Sequence, residues 1–233
     1  MLAQEVYDML YGDDAAYMGE CLPFWQELSE NDKALLISHA IDMPYSKGAV
    51  IHNDRKTCTG VLLVVHGRLR IYIVGDDGKE ITLYRLVERD VCVLSASCVL
   101  RNITFDVHIQ AEEPTKVLNI PTEIYKRLEQ SNQKVQDFTN QLVSSRFSEV
   151  MWVMEQLVFM SMDKRLAIYL LEQAALAGGD TLRLTHEAIA HDLGTAREVV
   201  TRLLKYFQDE KMVTLSRGEV TIVDYPALTV LSE

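Results

Sequence analysis

The residues of this 233-residue chain best suited to specific chemistry lie in the run LTHEAIAHDLGTAREVVTRLLKYFQDEKMVTLSRGEVTIV, Leu184 to Val223. Ala196, Arg197, Glu198, Thr201, Arg202 and Lys205 recur at the spacing of one helical face, with Thr195 just ahead of them. An arginine guanidinium can grip guanine O6 and N7 with two parallel hydrogen bonds. A glutamate can accept from cytosine N4, and a threonine suits a phosphate or a thymine methyl. From Thr195 to Gly218 five basic residues (Arg197, Arg202, Lys205, Lys211, Arg217) face three acids (Glu198, Asp209, Glu210). The stretch is locally basic, and such a surface suits the phosphate backbone of double-stranded DNA.

Two helices joined by a minimal turn are needed to present that face. Thr185 is suited to cap a short helix, Gly194 to make the left-handed turn that ends it, and Thr195 to cap a second helix at once. A steep corner of this kind closes only over a small residue four before the glycine, here Ala190. Aliphatic side chains must line the inside: Ile189, Leu193, Val200, Leu203 and Leu204. Alternation at Val213, Leu215, Val220 and Ile222 around Arg217-Gly218 predicts a wing-like hairpin able to rest on the DNA backbone. The competing reading is a helical corner that merely packs on a neighbouring domain, with Arg197 and Glu198 as solvated charges.

The rest of the chain is an ordinary globular mixture, 48% apolar and 24% charged, with a formal charge of −11 that argues against nonspecific coating of nucleic acid. No apolar run is long enough to span a membrane and the start is acidic, so a soluble, cytoplasmic protein with no membrane partner is expected. Leu22 to Ala40 reads as helical, with a Ser29/Asp32 cap and Leu35, Leu36, His39 and Ala40 on one face. Between Pro44 and Pro121 short apolar runs alternate with turns at Lys47-Gly48, His66-Gly67 and Gly75-Asp-Asp-Gly78, which predicts an all-β sandwich or roll. Thr122 to Ala177 contains no proline and reads as helical up to Gly178-Gly179, with a hinge at Met160 to Asp163. Within it Val143, Phe147, Val150, Met154 and Leu157 step at heptad spacing, a stripe for dimerisation or for packing within one chain.

This order of parts resembles the Crp/Fnr family of bacterial transcription regulators. The segments that carry the resemblance are His66 to Tyr72, Asp77 to Leu86 and, above all, Gly194 to Lys205. It implies an α+β fold with a cyclic-nucleotide-binding-like β-roll for effector sensing (1–130), a long dimerisation helix (131–160) and a winged helix-turn-helix domain (161–233). It also implies a homodimer on a palindromic operator, an unidentified small-molecule effector, and RNA polymerase as a further partner. Arg197, Arg202 and Glu198 match base-reading positions of the cAMP-receptor branch, so a TGTGA-like half-site is expected. Thr201 stands where the oxygen-sensing branch has serine.

The effector region departs from the best-known members. Where cyclic-nucleotide binders carry a Gly-Glu pair and later an Arg-Ser, this chain has Arg89-Asp-Val-Cys-Val-Leu-Ser95 and Ile103-Thr-Phe-Asp106, which argues against a cyclic nucleotide. Cys21 stands alone near the N-terminus, without the cysteine cluster that holds iron–sulfur in the oxygen-sensing branch. The cofactor is left unknown. Cys92 and Cys98, six apart, are candidate effector or redox residues, and the second functional class is a thiol or metal switch acting through protein contacts. Free cysteines are more often small hydrophobes of a core. His66 and His108 are of a type that can ligate haem, but a lone histidine in a strand more often has an ordinary structural role. No P-loop, GxSxG or HExxH motif points to an enzyme, and no metal site is expected.

Overall fold

The structure is a computed structural model that describes residues 14–52, 59–93, 95 and 107–233. They divide into two compact units. The first takes the chain up to Ile73 and from Leu83 to Glu149, and the second takes Val74–Thr82 and Val150–Glu233.

In the first unit a helix over 14–21 (α1) and a 3-10 turn at Trp25–Glu27 precede α2, Glu30–His39. Ser29 caps α2 as expected: its Oγ accepts from the Asp32 amide at 3.2 Å and donates to the Asp32 carboxylate at 2.7 Å. The helical entry expected over Leu22–Ala40 consists of the 3-10 turn and α2, and α2 buries Leu36 and Ile37 while His39 is exposed. Eight strands follow among the described residues: β1 Ile41–Tyr45, β2 Val50–His52, β3 Val61–His66, β4 Leu69–Val74, β5 Glu80–Leu86, β6 Val91–Cys92, β7 His108–Ala111 and β8 Thr115–Ile120. They form two four-stranded sheets, in the orders β1-β8-β3-β6 and β2-β7-β4-β5.

Strand β3 reads as a continuous apolar run because it is buried on both faces. Val61 and Leu63 pair with Ile120 and Leu118, and these four share one core with Leu22, Leu36, Tyr125 and Leu128 of the flanking segments. Leu62 and Val64 alternate with them and are equally buried. Strand β1 was not expected, since Pro44 interrupts its pattern; it lies at a sheet edge, where a missing amide is tolerated.

The helical stretch begins with α3, Thr122–Ser131, and α4, Gln133–Phe159, separated at Asn132, whose side chain accepts from the Lys134 amide at 2.9 Å. Tyr125 of α3 meets Thr139 of α4 at 2.9 Å within the core, and burial pushes the phenol up to about 12. Arg146 of α4 pairs with Glu149 at 2.7 Å and Asp90 at 3.7 Å and lies over the Tyr84 ring at 4.9 Å. These contacts fasten the first half of the long helix to the sheets.

The second unit holds α5 Met162–Ala177, β9 Thr181–Leu182, α6 His186–Leu193, α7 Arg197–Asp209, β10 Val213–Ser216, β11 Glu219–Ile222 and α8 Tyr225–Ser232. Its sheet has the order β10-β11-β9, and its core gathers Leu166, Leu170, Ile189, Leu204, Phe207 and Leu228 among others. Strand β9, two residues long, and α8, capped by Asp224 accepting from the Ala227 amide at 3.0 Å, were both beyond the expectation of two short helices and a hairpin. Among the described residues no helix is long and apolar enough to cross a membrane.

The β3–β4 turn makes one sharp demand on sequence. Gly67 has φ +90°, and a Cβ there would stand 2.5 Å from Thr115 Oγ1 and 2.6 Å from the Pro114 carbonyl oxygen. Gly67→Ala is expected to cost on the order of 3 kcal/mol, combining backbone strain with overpacking, read as a lowered midpoint in urea unfolding.

Candidate nucleic-acid interface

The corner between α6 and α7 is built from both helix ends. Thr185 caps α6, its Oγ1 accepting from the Ala188 amide at 3.1 Å. Gly194 ends α6 at φ +62°, and the Gly194 and Thr195 amides both return to α6 carbonyls, Thr195 N to Ala190 O at 3.0 Å. Helix α7 begins one residue later than expected, with Ala196 at its cap position, which corrects the expectation that Thr195 caps it. Thr195 is consumed in closing α6, and Ala196 takes the cap position without a side-chain bond. Ile189, Ala190, Leu193, Val200 and Leu204 are buried as the corner requires, joined by Phe207, and Leu203 is half-buried against the same core.

Burial of one face of α7 exposes the other. Ala196, Arg197, Glu198, Thr201, Arg202 and Lys205 are all exposed, Thr195 is half-buried, and Arg217 is exposed at the tip of the β10–β11 hairpin. Among the described residues neither Arg197, Arg202 nor Arg217 has an acidic partner within ion-pair distance. Thr201 is less available than its sequence position implies. Its hydroxyl donates to the Arg197 carbonyl at 2.9 Å and lies 2.9 Å from His186 Nδ1.

Two supports of the corner act through long-range contacts that the sequence does not signal. Arg165 of α5 is buried and donates from Nη2 to the Leu193 carbonyl at 2.6 Å, satisfying a helix-end acceptor; burial holds its guanidinium below the ordinary arginine range. The second is the turn between β4 and β5, Val74–Thr82, which belongs to this unit. Thr82 donates to Asp192 Oδ1 at 2.8 Å, Tyr169 of α5 donates to Asp192 Oδ2 at 2.7 Å, and His191 lies 3.8 Å from Glu80 and 3.3 Å from Glu187. The turn is the tight one that Asp77-Gly78 predicted: Gly78 N bonds Gly75 O at 2.9 Å and Gly75 N bonds Lys79 O at 2.8 Å. Residues 110 apart in sequence meet here, a distance that local pattern does not report.

The remaining candidates are placed as follows. Along α4, Phe147, Met154 and Leu157 are exposed at 64%, 53% and 38%, Val150 is half-buried, and Val143 packs against the core of the first unit. Cys92 is buried in β6; Cys98 lies outside the described residues, as do Leu94 and the run Ile103 to Asp106. His108 stacks on Tyr72 at 5.2 Å, with the Arg70 guanidinium 4.4 Å from the same ring, and His66 is exposed.

A β-roll carrying a long helix, followed by a helical corner with an exposed arginine face and a wing, defines a winged-helix DNA-binding regulator with a sensing domain. Residues 164–231 match the family of Crp-like helix-turn-helix domains, and residues 43–132 match the cyclic nucleotide-binding domain family. The chain is 48% identical to a Crp/Fnr-family protein of solved structure from Eubacterium rectale, covering 91% of this chain and 98% of that one with a TM-score of 0.87. It is 28% identical to the global nitrogen regulator of Synechococcus elongatus (79% of this chain, 86% of the relative) and 26% identical to the transcriptional activator FnrA of Stutzerimonas stutzeri (94% and 91%). The chain belongs to the Crp/Fnr family of transcription regulators, with an effector-binding domain and a DNA-binding helix-turn-helix.

A Cβ on Gly194 would approach Ile81 Cγ1 to 2.8 Å, besides occupying a left-handed backbone position. Gly194→Ala is expected to destabilise the protein by about 1 to 3 kcal/mol. Ile81→Ala in the same chain should return part of that loss, so a double-mutant cycle by thermal unfolding will show non-additivity.

Proposed function

We propose that the protein is a homodimeric regulator joined along α4, which binds a two-fold symmetric operator with one α7 in each major-groove half-site. The observation that carries this reading is the outward set Arg197, Glu198 and Arg202 on a helix whose opposite face is buried. Arg197 and Arg202 are assigned to guanines and Glu198 to a cytosine of a TGTGA-like half-site. Thr195, Ala196, Thr201 and Lys205 flank them, and Arg217 of the wing is assigned to the backbone. The exposed Phe147, Met154 and Leu157 support the dimer, extended by Met151, Val158 and Phe159, the last 81% exposed. An apolar stripe of that length suits a second copy of the same helix.

On this reading the ligand of the β-roll shifts the dimer between competent and incompetent poses, RNA polymerase is the downstream partner, and the chain catalyses no reaction. Its site of action is the bacterial cytoplasm, where the DNA lies. The Val74–Thr82 turn, continuous with β4 and β5 and bonded to Asp192, is assigned as the route by which the roll biases the corner.

Two measurements test the assembly and the reading face. Replacing Phe147 and Met154 together by Glu is expected to give a monomer by light scattering and to abolish preference for a palindromic duplex over a single half-site. A double variant that stays dimeric overturns the α4 interface. Arg202→Ala is expected to cost about 1 to 3 kcal/mol in operator binding and to relax discrimination at one base pair, measured by competition among single-substituted duplexes.

A further inference from the structure

The base-reading face leaves unused a histidine beside it. A groove of about 550 Å³ runs between the start of α6, the start of α7 and the wing, and its lining includes His186, Glu187, Arg197, Ser216, Arg217 and Glu219. The two acids are engaged. Glu187 lies 3.3 Å from His191 Nε2, and Glu219 lies 3.4 Å from Arg183 and accepts from Ser216 at 3.3 Å. Arg197 and Arg217 have no acidic partner among the described residues, so the groove's uncompensated charge is positive.

The hydrogen bonds of His186 fix which of its nitrogens is available. A threonine hydroxyl has one proton, and Thr201 gives its proton to the Arg197 carbonyl at 2.9 Å. The 2.9 Å contact between Thr201 Oγ1 and His186 Nδ1 is then donated by Nδ1–H. A neutral His186 consequently offers only a lone pair at Nε2, which repels an anionic oxygen. Protonation converts the same atom into a charged donor.

We propose that this groove seats a backbone phosphate of DNA and that binding takes up one proton per protomer from solvent at His186 Nε2, forming an Nε2–H to phosphate-oxygen hydrogen bond. The proposal rests on the reading that α7 enters the major groove and adds to it a ligand that switches with pH. In the free protein burial, then the Arg197 guanidinium, holds the His186 ring below its ordinary pKa, so the ring is neutral near pH 7. A phosphate offsets Arg197 and bonds the charged form, raising that pKa. Because the bound state holds the extra proton, affinity rises as pH falls between the bound and free values. Facing His186 are Arg197 from α7, Arg217 and Glu219 from the wing, and Glu187 beside it on α6. His191, which contacts Glu80 and Glu187, is cancelled by comparing variants with wild type.

The test is fluorescence anisotropy of the full-length chain at low salt, with a labelled duplex carrying two TGTGA half-sites and with a scrambled duplex, from about pH 6 to about pH 8.5. Wild-type affinity is expected to climb as pH falls, approaching tenfold per unit for each protomer's proton at the steepest point, roughly the linkage limit. His186→Gln should bind with that component of the slope removed, and His186→Arg should bind tightly with the same flattening. Equal slopes in wild type and His186→Gln overturn the proposal and leave the DNA-binding reading intact. Failure of every form to bind either duplex overturns both. Long-range proton–nitrogen NMR of the free protein provides a readout independent of affinity: the neutral ring should carry its proton on Nδ1, and a proton on Nε2 removes the argument.

Discussion

The structure of the reading surface depends on what α7 buries. Val200, Leu204 and Phe207 are fully enclosed, and at about 1.5 to 3 kcal/mol for each buried large side chain they outweigh any surface ion pair the exposed face could form. The helix therefore has one rotational setting about its own axis, and that setting points Arg197, Glu198 and Arg202 outward. The left-handed Gly194 and the doubly used Ala190 carbonyl then set where the helix begins. Thr195 is taken from the cap role by this same geometry, because an amide that closes α6 belongs to the turn and α7 starts after it.

Charge works on a shorter length than the whole chain. A formal charge of −11 repels a polyanion at a distance, yet screening at physiological ionic strength confines that repulsion to about 8 Å. Within that range the protein places at the start of α7 and on the wing arginines that have no acidic partner among the described residues, while Glu187 contacts His191 and Glu219 pairs with Arg183. Such an arrangement discounts nonspecific adsorption and retains attraction where the duplex meets the corner. Discrimination between sequences then falls to directional bonds, since the sequence-independent term is weak.

Much of this was legible because its signals are local. The Ser29 and Thr185 caps, the Asp77-Gly78 turn, the small Ala190 four before Gly194 and the alternation through the wing all act within a few residues. The first strand was hidden by Pro44, whose cost is cancelled only by an edge position that one strand's pattern does not reveal. The helical reading of Leu22–Ala40 did not separate the Trp25–Glu27 turn, where Phe24 and Trp25 are buried, from the helix that Ser29 caps. Arg165 and Asp192 were missed for a different reason: each serves a partner 23 or more residues away, and a buried arginine or a bonded aspartate looks like any surface charge in a string of letters. His186 draws no attention in the sequence, because its contact with Thr201 joins residues 15 apart.

The strength of the link at Asp192 matters as much as its location. Two hydroxyls donate to one carboxylate, at 2.8 and 2.7 Å, and hydrogen bonds to a charged group contribute about 1.5 to 3 kcal/mol each, net of competition with water. The Tyr169 bond to Asp192 lies within the helical part of the unit, whereas the Thr82 bond ties the turn to α6. The energy at stake is then about the size of a typical allosteric coupling, 1 to 3 kcal/mol, large enough to change DNA affinity several-fold to a hundredfold. A much stronger lock would hold the corner in one pose whatever the roll bound, and a much weaker one would transmit nothing. The Asp192 carboxylate, which accepts from β5 and from α5, is of a strength between those limits, in keeping with the switching role proposed for the turn.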